Sequence, residues 1–399
     1  MINMMHAPPG PGDPQACGQT GRQLVLLREG TGRLATEFLR NTTGIRLAMS
    51  SDFDASAGQT RLASGEGLLF ERLGAALLYG DPDQARALAS RLNGHALVVE
   101  PEKYVRASGG QAAADTAFTT WGVRATGALT SRYSGRGIRV AVLDTGFDLG
   151  HPDFAGRTIA ARSFVEGLSV DDGNGHGTFC AGVACGPDQP PDAPRYGIAS
   201  SADLYVAKVL DDSASGTDGN VLAGIDWAVR NHCAVVLMSL GSPVYVEDVY
   251  PQVYEQVAAR ALAAGTLLIA PAGNASQRPD AIAPVEHPAN CPSIVAVGAV
   301  DQSFAVAPFS NGGLNCDGGE VGLAAPGIAI VSAAPRPRLY QTGSGTSMAA
   351  PFVAGIAALL AEADPGARGA TLRARLLQAF MPLAAPPRDV GAGLVQAPQ

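Results

Sequence analysis

IRVAVLD, residues 138–144, is an almost unbroken apolar, β-branched run that stops on an aspartate. Four more runs of the same kind follow: LYVAKVL (204–210), AVVLMSL (234–240), TLLIAPA (266–272) and SIVAVGAV (293–300). A strand with one wet face alternates polar and apolar residues, whereas a parallel strand covered on both faces is apolar throughout. Between the runs, DGNVLAGIDWAVRNH (218–232) and EDVYPQVYEQVAARALAAG (247–265) have helical periodicity. Alternating strand and helix predicts an α/β fold over residues 121–397, with a central, mostly parallel sheet and helices on both faces. Ligands of such sheets sit beyond the carboxyl ends of the strands.

Upstream, residues 22–106 read as a separate small α+β open-faced sandwich. RQLVLLR (22–28), GAALLYG (74–80) and HALVVEP (95–101) are strand-like, and DPDQARALASRL (81–92), capped by Asp81, is helix-like. ASGGQAAADTAFTT (107–120) is small, polar and rich in Gly and Ala, the composition of a linker that a protease enters. Residues 1–21 read as a flexible tail.

The 399 residues are 46% hydrophobic and 16% charged, enough apolar content for a sizeable core plus a second, smaller unit. A net charge of -8, scattered rather than blocked, argues against nucleic acid or an anionic membrane as partner. No run of roughly 18 unbroken apolar residues is present, and the N-terminus lacks a basic start followed by an apolar segment. The expectation is therefore cytoplasmic residence or a non-standard export route. None of the six cysteines forms a C-x-x-C pair, so a zinc or thioredoxin-type site is not expected. Cys180 and Cys185 fall on one helix, on different faces and too far apart to bridge. If any disulfide forms, Cys291 with Cys316 is the expected pair.

Three segments then stand out at the ends of these elements. Asp144 ends a buried strand in VLDTG, His176 lies in the Gly-rich NGHGT, and Ser347 lies in GTSMAAP just before the apolar FVAGIAALLAEA. Singly, each has a plainer reading: a turn aspartate, a loop histidine, a helix N-cap serine. Together they fit acyl transfer. A serine hydroxyl needs a base, a histidine takes and returns a proton near neutral pH, and a buried carboxylate fixes the histidine tautomer. Asn274, in PAGN at the end of another strand, is a candidate oxyanion donor beside the Ser347 backbone N–H.

The order Asp, His, Ser, with DTG, HGT, SLG, AGN and GTSMAAP in sequence, resembles the subtilases over residues 121–396. YGIASSADLYVAKVLDDSASG (196–216) and the position of Cys180 lean toward the proteinase K branch. The resemblance implies a serine endopeptidase with Asp144, His176, Ser347 and Asn274 in the roles given above. It implies a groove in which Ser239, Leu240 and Gly241 form one wall of the primary pocket and Ala272 and Gly273 the other. Ser215, Gly216 and Thr217 would form an edge strand that pairs with an extended substrate. The small wall residues imply a broad preference, apolar before the cut bond.

The resemblance also makes residues 22–106 a pro-region and intramolecular inhibitor, with VVEPEKYVRA (98–107) in the groove and self-cleavage within 106–114. Catalysis then requires no cofactor, the partners are peptide or protein substrates, and the expected state is a monomer. Calcium is expected to be weak or absent: Gly322 in VGLAAPG stands where relatives carry an Asp, and GPDQPPDAPR (186–195) lacks an Asn-rich ligand pattern. No metal ligand is assigned. Cys180 is expected as a buried side chain beside His176, Asp171 and Asp172 as a solvated turn, His287 as structural. Two other readings stay open, a catalytically silent peptide-binding module and a processing protease dedicated to one substrate.

Overall fold

The computed structural model describes residues 19–27, 46–49, 66–79, 96–106 and 118–399. The expected helix at 81–92, most of the tail and most of the linker with its cleavage window lie outside these residues. In the N-terminal unit the strands are β1 (Gln19–Leu27), β2 (Arg46–Met49), β3 (Glu66–Phe70), β4 (Ala75–Tyr79) and β5 (Ala96–Arg106). β2 and β3 did not stand out in the sequence, and β1 begins inside the stretch expected to be tail.

The larger part is built on β6 (Arg139–Asp144), β7 (Ala160–Ser163) and β8 (Asp203–Lys208), with a short edge strand β9 (Ser215–Thr217). Next come β10 (Val235–Met238), β11 (Leu267–Pro271), β12 (Val295–Val300) and β13 (Val321–Pro326). A two-stranded hairpin, β14 (Ile330–Ala333) with β15 (Tyr340–Gly343), precedes the short β16 (Phe380–Met381) and β17 (Leu394–Val395). The nine-stranded sheet runs β16-β17-β13-β12-β11-β10-β6-β8-β7, parallel except for the β16–β17 pair.

This register explains the unbroken apolar runs. Val140 and Val142 of β6 point into one hydrophobic cluster, and Ala141 and Leu143 into the other; Val235/Leu237 and Val236/Met238 of β10 divide in the same way. The helices, after a short α1 (Trp121–Ala125), are α2 (His176–Cys185), α3 (Asp218–Arg230), α4 (Gln252–Ala263), α5 (Thr346–Ala363), α6 (Gly369–Gln378) and α7 (Pro387–Val390). α2 and α5 cover one face through Phe179, Val183, Phe352 and Ile356. α3 and α4 cover the other through Val221, Ile225, Val253 and Val257. From β6 the chain builds outward in both directions, through β8 on one side and β10 to β12 on the other. A crevice therefore opens beyond the carboxyl ends of β6 and β10. α5 is long and apolar enough to cross a membrane by composition, yet 83% of it is buried inside the protein.

The N-terminal sheet rests on the α3/α4 face. Leu24, Leu26, Phe70 and Leu77 belong to the same buried cluster as Val221 and Val253. Two carboxylates fasten it. Glu100 accepts from the backbone N–H groups of Gln252 (2.7 Å) and Val253 (2.9 Å), and Glu102 accepts from that of Gly219 (2.5 Å), so each sits at a helix N-terminus, where free donors and the helix dipole favour negative charge. β5 continues past the sheet and pairs antiparallel with β9, Tyr104 opposite Thr217, Val105 opposite Gly216 and Arg106 opposite Ser215.

The five cysteines among the described residues are all free. The expected Cys291–Cys316 disulfide is absent: Cys291 is buried with its sulfur 3.8 Å from the Pro251 oxygen, whereas Cys316 is exposed beside the Asp248 oxygen. Cys180 and Cys185 do share α2.

α5 crosses α2 and the loop after it at Gly355, where an added Cβ would stand 2.6 Å from Ile198 Cβ and 2.9 Å from the Ala184 oxygen. Helix propensity favours alanine over this glycine by about 1 kcal/mol and valine by less, but steric overlap wins. Gly355→Val, made in a Ser347→Ala background to prevent digestion, is expected to lower stability by about 1–3 kcal/mol in urea unfolding; a gain would show that the helices separate freely.

Candidate active site

At the carboxyl edge of the sheet Asp144 meets His176, and Asn274 meets the start of α5 beside Ser347. Asp144 is the last residue of β6 and is fully buried. His176 opens α2, and its Nδ1 lies 2.8 and 3.0 Å from the two Asp144 carboxylate oxygens. That approach needs Gly177, where a Cβ would stand 2.2 Å from the Gly146 oxygen and 3.2 Å from Asp144 Cβ. Burial alone would lower the imidazole pKa; the Asp144 charge outweighs it and holds His176 well above the ordinary 6.5. In the neutral imidazole the carboxylate also fixes the tautomer, with the proton on Nδ1 and the Nε2 lone pair turned away. Nε2 is buried and has no hydrogen-bond partner among the described residues.

A second carboxylate holds this arrangement. Asp172 Oδ1 accepts from Thr145 Oγ1 (2.8 Å), Asn174 N (3.2 Å) and Gly175 N (2.7 Å), and Oδ2 from Thr178 N (2.8 Å) and Thr178 Oγ1 (2.7 Å). Thr145 Oγ1 in turn accepts from Gly177 N at 2.9 Å. The solvated turn expected at 171–172 is therefore half right: Asp171 is exposed and bonded to Ser169, while Asp172 is buried and ties the DTG turn to the start of α2. Lys208, opposite Asp144 in the β6–β8 register and fully buried, braces the same turn by donating to the Thr145 oxygen, the Asp171 oxygen (3.2 Å) and Asp212 Oδ1 (2.6 Å).

Ser347 lies in the first turn of α5, where backbone N–H groups lack i−4 acceptors. Pro351, four residues on, has no N–H to give the Ser347 carbonyl. That oxygen accepts instead from Ser239 Oγ (3.2 Å) and Cys180 Sγ (3.5 Å). Cys180 Sγ is also 3.7 Å from His176 Nδ1, so one sulfur touches both the histidine and the serine main chain. Burial pushes the Cys180 thiol pKa up, against the pull of His176, which keeps it a packed thiol. Asp144, His176 and Cys180 have ligand atoms within 4.8 Å of one another, near enough for a metal ion, but the hydrogen bond to Asp144 already commits His176 Nδ1. Ser347 Oγ stands 3.5 Å from the Ser239 oxygen.

Asn274 follows β11 through Gly273, whose φ of +112° suits a residue without a Cβ. Its Oδ1 accepts from Thr346 N (2.8 Å) and Thr346 Oγ1 (2.9 Å). The side-chain oxygen is thus spent on the residue next to Ser347, leaving Nδ2 buried with no partner among the described residues. An unpaired buried donor is costly and calls for an acceptor.

Of the residues expected to form the groove, Ser239 touches Ser347 and Gly273 touches Thr346. Ser215, Gly216 and Thr217 form β9, occupied by β5. Ser239 and Leu240 are buried, and Gly241 and Gly273 both lie against the side chain of Glu286, which the sequence did not mark out. His287 is structural as expected: its Nε2 is 3.0 Å from Asp218 Oδ1 and its ring meets Tyr254 edge-on.

The profile of the Subtilase family matches residues 135–393. Subtilisin DY of Bacillus licheniformis is 36% identical over 245 residues, 61% of this chain and 84% of that protein. An intracellular serine protease of Paenibacillus polymyxa is 36% identical over 278 residues, 67% of this chain and 81% of that one. A thermostable alkaline protease of Halalkalibacterium halodurans is 39% identical over 264 residues, 66% and 67% of the two chains.

Because the folded pKa of His176 is raised, its imidazole should stay protonated above pH 6.5 and contribute stability that is lost as pH rises through the folded value. Asp144→Asn is expected to bring the His176 titration, followed by NMR, back to or below 6.5. An unmoved titration would deny that the Asp144 charge sets it.

Proposed function

The chain belongs to the subtilase family and is a serine endopeptidase, and on that premise we propose that Ser347 is its nucleophile, His176 its base, Asp144 the group that orients the histidine, and Asn274 an oxyanion donor. The observation that carries this reading is the pair of buried, unpartnered polar atoms, His176 Nε2 and Asn274 Nδ2, on side chains whose other polar atoms are fixed by Asp144 and Thr346.

In the proposed reaction His176 Nε2 takes the proton of Ser347 Oγ as the oxygen attacks the substrate carbonyl carbon. The negative charge on the carbonyl oxygen is met by the Ser347 N–H and Asn274 Nδ2, donors in place before the charge develops. Asp144 stabilises the imidazolium without taking its proton. The protonated His176 then gives its proton to the leaving amine, and the C–N bond breaks. Water, deprotonated by the same histidine, attacks the acyl ester and frees Ser347. None of these steps calls on a metal or an organic cofactor. Calcium at the two family positions is not proposed, since Gly322 offers no side-chain ligand at one and residues 186–195 lack the Asn-rich ligand pattern at the other.

We also propose that residues 22–106 are a pro-region. Support comes from β5, which pairs with β9 along the edge an extended substrate would use, and from Glu100 and Glu102 at the starts of α4 and α3. The chain runs from Arg106 of β5 into the linker, so self-cleavage within 106–114 would release the strand's far end. The silent-module reading finds no missing catalytic group.

Wild-type protein and Ser347→Ala, compared by intact mass and casein digestion, separate the readings. Wild type is expected to shorten within 106–114 and digest casein, and the variant to stay full length and inactive. Asn274→Ala is expected to cost about 10²–10³ in kcat, the loss known for such a donor in subtilisin itself. An active Ser347→Ala protein would overturn the assignment.

A further inference from the structure

Glu286 is a carboxylate placed between the two walls of the pocket assigned above. A Cβ on Gly241 would stand 2.8 Å from Glu286 Oε2, and a Cβ on Gly273 would stand 2.6 Å from its Cδ. The side chain thus lies between the Ser239–Gly241 segment and the Ala272–Gly273 segment. Its carboxyl accepts from the backbone N–H of Asn274 and, at 3.5 Å, from Asn311 Nδ2. It is therefore one hydrogen bond away from the residue that reaches the acyl centre.

The groups touching it are neutral. Gly241 faces it from the segment after β10, Gly273 and Asn274 from the segment after β11, and Asn311 from the loop at 310–312. Charged side chains on adjoining segments are engaged elsewhere: Arg278 with the Ser310 oxygen and Asp389, Asp218 with His287. Burial raises the Glu286 pKa to about 7 against the pull of its two amide donors. Among the described residues the carboxylate is supplied with dipoles but no cation, and a buried charge so placed is short of a partner.

We propose that Glu286 sets the specificity of this peptidase, selecting substrates with lysine or arginine immediately before the cleaved bond. The proposal rests on the reading of Ser239–Gly241 and Ala272–Gly273 as the pocket walls. It replaces the apolar preference expected from the wall residues alone. A long cationic side chain entering between the two glycine walls would meet the carboxylate there and supply its missing counter-charge. An apolar side chain would instead bury the carboxylate further, which is tolerable only in the protonated form. Discrimination of a cationic from an apolar side chain should therefore grow as Glu286 ionises.

The test uses two matched peptides that differ only in lysine or leucine before the cleaved bond, with kcat/KM measured on mature wild-type enzyme at about pH 6 and 8. Titration of His176 acts on both peptides and cancels in their ratio. The Lys/Leu ratio is expected to rise about a hundredfold over this range, because the charged fraction of a group titrating near 7 rises about tenfold while the neutral fraction falls about tenfold. In Glu286→Gln the ratio should fall at least about tenfold at pH 8 and lose its pH dependence. A flat wild-type ratio overturns the proposal without any variant. So does a Glu286→Gln enzyme that loses activity equally on both peptides with the ratio kept, because Glu286 would then only support the Asn274 turn. Cleavage of neither peptide by an enzyme that digests casein overturns the proposal and leaves the active-site reading intact; failure to cleave any peptide or protein removes both.

Discussion

Asp144 is fully buried, and a carboxylate out of water must be paired or give up its charge. Besides the backbone N–H of Thr145 at 2.7 Å, its partner is the Nδ1 of His176 at 2.8 Å, and much of the surrounding chain serves to keep that contact in place. Gly177 lets the two backbones approach. Asp172 gathers five donors from the segments before and after it and so fixes the start of α2 relative to the end of β6. Lys208 ties the same turn to the neighbouring strand. The sheet supplies the outer constraint: with every major strand parallel and covered on both faces, the polar ends of the chain segments can converge only along the carboxyl edge.

The same economy governs Ser347. Pro351 withholds a helical donor from its carbonyl, and Ser239 and Cys180 provide replacements from two other elements. Thr346 claims the oxygen of Asn274, so the amide nitrogen is left over. The chemistry assigned to the site thus depends on what is left unpaired, and each such atom is left over by a bond made on the opposite side of its own group.

Much of this was legible in the residues. Continuous apolar runs disclosed buried parallel strands, because covering both faces removes the polar half of the pattern, and the five runs match β6, β8, β10, β11 and β12. Asp144, His176, Asn274 and Ser347 each sit beside glycine or at a strand or helix end, where composition marks a turn. Other parts depended on contacts between distant segments. Asp172 in DDGNG looked like a wet turn, since nothing local reveals that five donors fold over it. Lys208 was hidden inside an apolar run. Glu286 is twelve positions from Asn274 in the chain, and only the folding back of that loop brings it between Gly241 and Gly273. The expected Cys291–Cys316 pair failed for the same reason, as spacing does not show which side of a loop a sulfur takes.

Labelling with a fluorophosphonate, which reacts with an activated serine hydroxyl, tests the central claim most directly when followed by peptide mass mapping. The account predicts one label per mature chain, on the peptide that contains Ser347, and none in His176→Ala or after prior unfolding. Label on a different residue, or an unlabelled Ser347 in protein that still digests casein, would contradict it.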